Sequence, residues 1–360
     1  VDEEQVSCWL AIEDCSMKDS LGSSETADGA TDVCSCKDPD SSTADHLVVM
    51  VNGILGSVKD WKFAAEQFIK TIPDKVFVHC SERNVAKRTL DGVDAMGERL
   101  AAEVLDVIKR KPNLTKISFI SHSVGGLVTR YTIGKLFRPS TGEENKKRTI
   151  CGLEAVNFIT VATPHLGSRG HRQVPFLFGV PMLEKLASCV IHLIFRRTGR
   201  HLFLTDNDEG KPPLLRLMLQ DDGKYCFKSA LKAFKRRVTY SNVGYDHVVG
   251  WRTSSIRRDS ELPNWEDSFN KKYPHIVYQE CCKAIEAEGL QFLSLGEVDS
   301  DKLEDELVTG LSQVSWEKVD VSFHRSRQRF CAHCLIQVKD YTMHSEGADV
   351  IQHMIDHFHV

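Results

Sequence analysis

Apolar residues along this chain alternate between two spacings. Short unbroken runs rich in β-branched side chains predict buried strands at Leu47-Val48-Val49-Met50-Val51, Lys75 to Cys80, 116–122 and Asn157 to Ala162. Between them, Trp61 to Ile72, Val93 to Lys109 and 124–137 place apolar residues three and four apart, which predicts amphipathic helices. Buried strands separated by helices imply a mostly parallel, doubly wound sheet with helices on both faces. After Thr163-Pro164-His165-Leu166-Gly167 this rhythm breaks, and it resumes with a helix at 227–236 and a strand from Val238 to Gly244. The remainder predicts helices at 275–287 and 301–312, a strand at 319–323, a short strand at 335–338 and a final helix at 347–358.

The domain plan follows from where this pattern fails. Residues 1–45 are acidic, rich in Ser and Thr and without apolar periodicity, and read as a flexible leader before one α/β domain at 46–360. They resemble neither a transit peptide nor the apolar core of a signal peptide. Two insertions interrupt the domain, a cap or lid at 166–225 and a charged helical stretch at 257–315.

Charge and cysteine usage narrow the function. The net charge of -4 provides no general attraction to nucleic acid. The longest apolar stretch, Leu186 to Phe195, is too short to span a bilayer. Twelve scattered cysteines read as buried thiols of a reducing compartment, which predicts a cytoplasmic protein. Cys331-Ala332-His333-Cys334 and Cys34-Ser35-Cys36 suggest a zinc site only weakly, because the second pair is too tightly spaced. No metal or other cofactor is expected.

The chemistry lies in Ser121-His122-Ser123-Val124-Gly125-Gly126, placed between a strand and a helix. This is the pattern of a nucleophile elbow, a sharp strand-to-helix turn that presents Ser123 at its tip. A serine hydroxyl needs a base, an acid to orient that base and donors for an oxyanion. In such a sheet these groups follow the order nucleophile, acid, histidine, each after a strand. Asp246 follows the strand 238–244 and is the candidate acid. His333 and His344 are loop candidates for the base, with His353 and His357 inside the last helix as further alternatives. His122 is expected to point to the opposite side of the strand end, and His165 and His247 to be structural residues near the cleft. The oxyanion donors expected are the backbone N–H groups of Val124 and of Ile54, in the glycine-containing loop Asn52-Gly53-Ile54.

The segments L-V-V-M-V-N-G-I-L-G-S, S-H-S-V-G-G-L, F-I-T-V-A-T-P-H-L-G-S, Y-D-H-V-V-G-W-R-T-S-S-I and F-C-A-H-C-L-I-Q-V-K extend the pattern across 45–358. Together they resemble the lipase-like serine esterases of the α/β-hydrolase superfamily, particularly plant members. The resemblance implies Ser123 as nucleophile, Asp246 as acid and His333 as base. Two positions depart from the family pattern: Asn52 stands where histidine is usual, and Ser121 where glycine or alanine is usual.

Within the cap, Phe176, Phe178, Leu183 and Leu186 are the candidate acyl-contacting residues. The apolar helix Met182 to Phe195 beside Arg196, Arg197, Arg200 and His201 suits two roles: a cap packed on the core, or peripheral contact with an anionic lipid surface. The expected function is hydrolysis of carboxylic esters, of lipids or other acyl substrates, through an acyl-enzyme. The alternative is a catalytically weak or inactive α/β-hydrolase scaffold that binds lipid or a partner.

Overall fold

The computed structural model describes residues 43–139, 149–168, 195–207, 210–266, 270–285 and 300–360. The expected leader through residue 42, the candidate contacts Phe176, Phe178, Leu183 and Leu186, and Cys34 and Cys36 lie outside them.

The predicted parallel sheet is present. Its strands are β1 (His46–Val51), β2 (Val76–Cys80), β3 (Lys116–His122), β4 (Phe137–Arg138), β5 (Thr149–Ile150), β6 (Leu153–Val161), β7 (Arg236–Asn242), β8 (Ile276–Cys282) and β9 (Trp316–Val321). They run in the order β2-β1-β3-β6-β7-β9-β8, with β4 and β5 forming a small side ladder on β6. Every pair from β2 through β9 along that order is parallel, and β8 closes the edge antiparallel to β9.

Strand alternation gives each face its own core. In β1, Leu47, Val49 and Val51 pack with α2 (Val93–Arg110) and α3 (Gly125–Leu136), while Val48 and Met50 pack with α1 (Lys62–Thr71) and the last helix (Ala348–Asp356). All six residues of β1 are buried, which explains why its sequence is a continuous apolar run.

Two predicted elements have the wrong type. The helix expected at 275–287 is instead strand β8 over Ile276–Cys282. Its residues beyond Val277 alternate between partly buried and exposed, as suits a sheet edge with one wet face, and pairing with β9 overrode the helical spacing. The strand expected at 335–338 is replaced by a short helix, Ala332–Leu335, and a turn closed by Val338 N–H to Leu335 O at 3.0 Å. Leu335, Ile336, Gln337 and Val338 are all buried, so their apolar run reflects packing from all sides and not a pleat. His333 therefore sits on that helix, not on a loop. The predicted helix at 301–312 is observed as Ser300–Leu311.

Candidate active site

β3 ends at His122 and α3 begins at Gly125, leaving two residues to reverse direction. Ser123 takes up the turn with φ of 54°, in the left-handed region that a residue with a Cβ adopts only under constraint. Its N–H donates to Val161 O at 2.9 Å, and its carbonyl accepts from Gly126 N–H at 3.1 Å. Close packing explains the flanking glycines. A Cβ on Gly125 would lie 2.6 Å from Asn52 O and 2.8 Å from Val51 O, and one on Gly53 would lie 2.8 Å from Ser123 Cβ. The Asn52-Gly53-Ile54 loop is thus pressed against the serine. Among the described residues, nothing accepts a hydrogen bond from the Ile54 or Val124 backbone N–H.

The two unusual side chains are accommodated. Ser121 Oγ lies 2.7 Å from Thr129 Oγ1, which itself donates to Gly125 O at 2.9 Å, so Ser121 is the donor to Thr129. Asn52 Nδ2 donates to Asn84 O at 2.9 Å and Gly53 O at 3.2 Å, tying the loop after β1 to the loop after β2.

Asp246 and His333, 87 residues apart, meet at 3.0 Å between Oδ2 and Nδ1. Asn242 Nδ2 donates to the same Oδ2 at 2.8 Å, and the Val248 and Val249 N–H groups donate to Oδ1 at 3.0 and 2.8 Å. Burial pushes the Asp246 carboxyl up, but the facing His333 and these donors outweigh it and hold it below its ordinary value. Asp246 is therefore a carboxylate at neutral pH, and its bond fixes His333 Nδ1 as the protonated nitrogen. The structure does not join Ser123 Oγ to His333 by a hydrogen bond. Such bonds are often loose until substrate binds.

His122 is the residue the sequence reading misplaced. Strand alternation sends it away from the site, yet its Nε2–H donates to His333 O at 2.8 Å, with the two rings 4.5 Å apart. The strained turn begins at the next residue, and no local sequence pattern reveals a contact across 211 positions. Burial, with His333 alongside, pushes the His122 pKa well below its ordinary value, so the ring is neutral.

The other histidines are engaged elsewhere. His344, expected on a loop, instead ends a short helix, Tyr341–His344, where its Nδ1 accepts from Asp340 N–H at 3.1 Å. His353 Nδ1 lies 2.9 Å from Tyr240 Oη, and His357 Nδ1 is 2.8 Å from His353 O. His165 is buried, with Nε2 at 2.9 Å from Thr160 Oγ1. His247 lies flat against Phe330. Burial pushes the Cys334 thiol up to about 12, the opposite of what a thiolate ligand requires. Among the described residues, no group of His, Cys, Asp or Glu is placed to hold a metal.

Within the stretch expected to form a cap, residues 195–202 are helical and lie against the entry to α2. Thr198 Oγ1 accepts from Gly92 N–H at 2.9 Å, His201 Nδ1 accepts from Val93 N–H at 3.0 Å, and Arg197 pairs with Asp94. Part of the basic group is therefore packed on the core. Among the described residues, no helix is long and apolar enough to cross a membrane.

A mostly parallel sheet in this order, with a left-handed serine between strand and helix, defines an α/β-hydrolase. The chain belongs to the family described as "Putative serine esterase (DUF676)", whose profile matches residues 41–256. That match includes Ser123 and Asp246 and ends before His333. Curated relatives include "Putative lipase C4A8.10" of Schizosaccharomyces pombe, 28% identical over 223 residues covering 60% of this chain and 26% of that protein. "Putative lipase ROG1" of Saccharomyces cerevisiae is 29% identical over 219 residues, covering 59% of this chain and 28% of that protein. The chain thus spans under a third of the length of these relatives. Similar solved structures include the Bacillus licheniformis lipase BlEst2, at 16% identity and a TM-score of 0.35, covering 56% of this chain and 36% of that one. Phospholipase PlaB from Legionella pneumophila, at 17% identity and a TM-score of 0.35, covers 57% of this chain and 41% of that one.

Proposed function

We propose that this protein hydrolyses carboxylic esters of lipids or other acyl compounds through an acyl-enzyme on Ser123. As Ser123 Oγ attacks the ester carbonyl, His333 Nε2 takes its proton. Asp246 holds the imidazole in the required tautomer and stabilises the imidazolium. The Ile54 and Val124 N–H groups donate to the oxyanion, a contribution of about 100- to 1,000-fold in rate for each such donor. His333 then protonates the departing alkoxide, and a water deprotonated by His333 releases the acid.

The observation that carries this reading is Ser123 held at a φ of 54° in the strand-to-helix turn, flanked by two backbone N–H groups without acceptors among the described residues. The test is labelling by a fluorophosphonate. Wild type is expected to react and Ser123→Ala to remain unlabelled and to lose turnover of p-nitrophenyl esters. Labelling that survives the substitution overturns the assignment, and absence of both labelling and turnover in wild type favours the non-catalytic scaffold.

Placement among the plant-type members is a further part of the proposal. It rests on the resemblance carried jointly by the five segments across 45–358. Peripheral contact with a lipid surface is supported by the apolar run 182–195 in the sequence.

A further inference from the structure

The loop from β9 to the helix of His333 reads Ser322-Phe323-His324-Arg325-Ser326-Arg327-Gln328-Arg329-Phe330-Cys331, with three arginines at alternate positions. Two turns shape it. Ser326 N–H donates to Phe323 O at 2.8 Å, and Arg329 N–H donates to Ser326 O at 3.3 Å. Ser326 is buried at their junction, while Arg325 and Arg327 are exposed. None of the three guanidinium groups forms an ion pair with a described residue.

Arg329 is nonetheless fixed. Its guanidinium lies 5.3 Å from the centre of the Tyr245 ring and 5.0 Å from that of Phe330, whose rings meet edge to face at 5.5 Å. The His247 ring stacks on Phe330 at 5.9 Å. Tyr245 immediately precedes Asp246, and Phe330 lies three residues before His333, so this clamp is attached to both members of the acid–histidine pair. Arg329 Nε and His247 Nε2, both shielded from solvent, have no hydrogen-bond partner among the described residues. An arginine held this way by the protein would ordinarily answer a carboxylate, and here none does. Contact with aromatic rings restrains the guanidinium without using its N–H donors, which leaves them for an anion such as phosphate. Tyr245, itself exposed, provides apolar surface beside it.

We propose that Arg329 is a phosphate-binding residue at the mouth of the site, and that the ester cleaved at Ser123 belongs to a phosphate-bearing acyl compound. Arg325 and Arg327 reinforce the local positive potential. The substrate class rests on the reading of Ser123 given above; the phosphate site itself does not.

The experiment compares kcat/KM for dihexanoyl phosphatidic acid and dihexanoylglycerol, both dispersed as monomers, in wild type, Arg329→Gln and Arg329→Lys. Wild type is expected to prefer the phosphate ester. That preference should fall roughly 10- to 100-fold in Arg329→Gln, the range for losing a hydrogen bond to a charged group. The loss should lie mainly in KM, and Arg329→Lys should retain an intermediate preference. No preference in wild type on either monomers or vesicles, or one that Arg329→Gln leaves in place, overturns the phosphate site. Dioleoyl phosphatidic acid in phosphatidylcholine vesicles separates the sources. A preference on monomers assigns the phosphate to the substrate's own head group, whereas one confined to vesicles overturns the substrate class and leaves Arg329 as a site for the phosphate of the lipid surface. Should wild type cleave neither ester and take no fluorophosphonate, the Ser123 reading fails. Calorimetric titration with hexyl phosphate then tests Arg329 alone: binding lost in Arg329→Gln sustains the site, and equal binding overturns it.

Discussion

Ser121 Oγ is buried beside the strained turn, where an unpaired hydroxyl would cost about 1–3 kcal/mol. Its bond to Thr129 removes that cost, which is why a residue larger than glycine fits there without disturbing Ser123. Asp246 shows the opposite economy, a buried charge accepting from Asn242, Val248, Val249 and His333. Replacing it with Asn conserves volume but removes the charge that selects and stabilises the His333 tautomer. Asp246→Asn is expected to lower kcat for a short-chain ester by about 1,000- to 10,000-fold with little change in KM, measured by steady-state kinetics. A loss below tenfold would remove Asp246 from the mechanism. At this scale the serine was legible in the sequence because its turn is local. Chain position and the family resemblance favoured His333 but left His344, His353 and His357 as alternatives, and it is the contact with Asp246 that sets His333 apart from them.

Elements were legible where their burial is simple. Strands β1 and β3 are buried on both faces and helices α1 and α2 on one, so their periods survive in the sequence, while α3 is buried almost all round and reads as a nearly continuous run of small and apolar residues. β8 was misread because its pairing with β9 decides its state, and the segment 335–338 because apolar residues buried in a turn resemble a short strand. The junction of α3 with the loop after β1 packs backbone closely against backbone at the site. Gly125→Ala would bring a methyl against the carbonyls of Asn52 and Val51, and backbone there cannot rotate away. Overpacking of this kind costs about 1–3 kcal/mol. The expected outcome is a lower denaturation midpoint together with a larger loss of esterase activity than that stability change explains, since the displacement separates Ile54 from Val124. Wild-type midpoint and activity would refute the steric account.

For the whole molecule, buried histidines couple stability to pH. Burial pushes His46 and His353 down to about 4, and His122 and His165 well below their ordinary value. In the unfolded chain these rings take a proton near pH 6.5. Between that pH and about 4 the unfolded state thus binds more protons than the folded one. Stability is full above roughly pH 6.5 and falls on acidification, by about 1.4 kcal/mol per pH unit for each histidine that has titrated only in the unfolded chain. Urea midpoints measured from pH 7.5 to 5 should decline, and His353→Gln should flatten the decline. A profile independent of pH over that interval would refute it.

The fold class, most of the elements and the place of Ser123 were determined by the sequence alone, because burial period and turn geometry are carried by neighbouring residues. The tertiary structure decided which residues meet. The parallel pairing of β7 with β9 brings their carboxyl ends side by side, and with them Asp246 and His333. The same juxtaposition seats Arg329 between Tyr245 and Phe330 and places the His333 backbone over His122. Contacts across 87 and 211 positions depend on strand order, which no local pattern encodes.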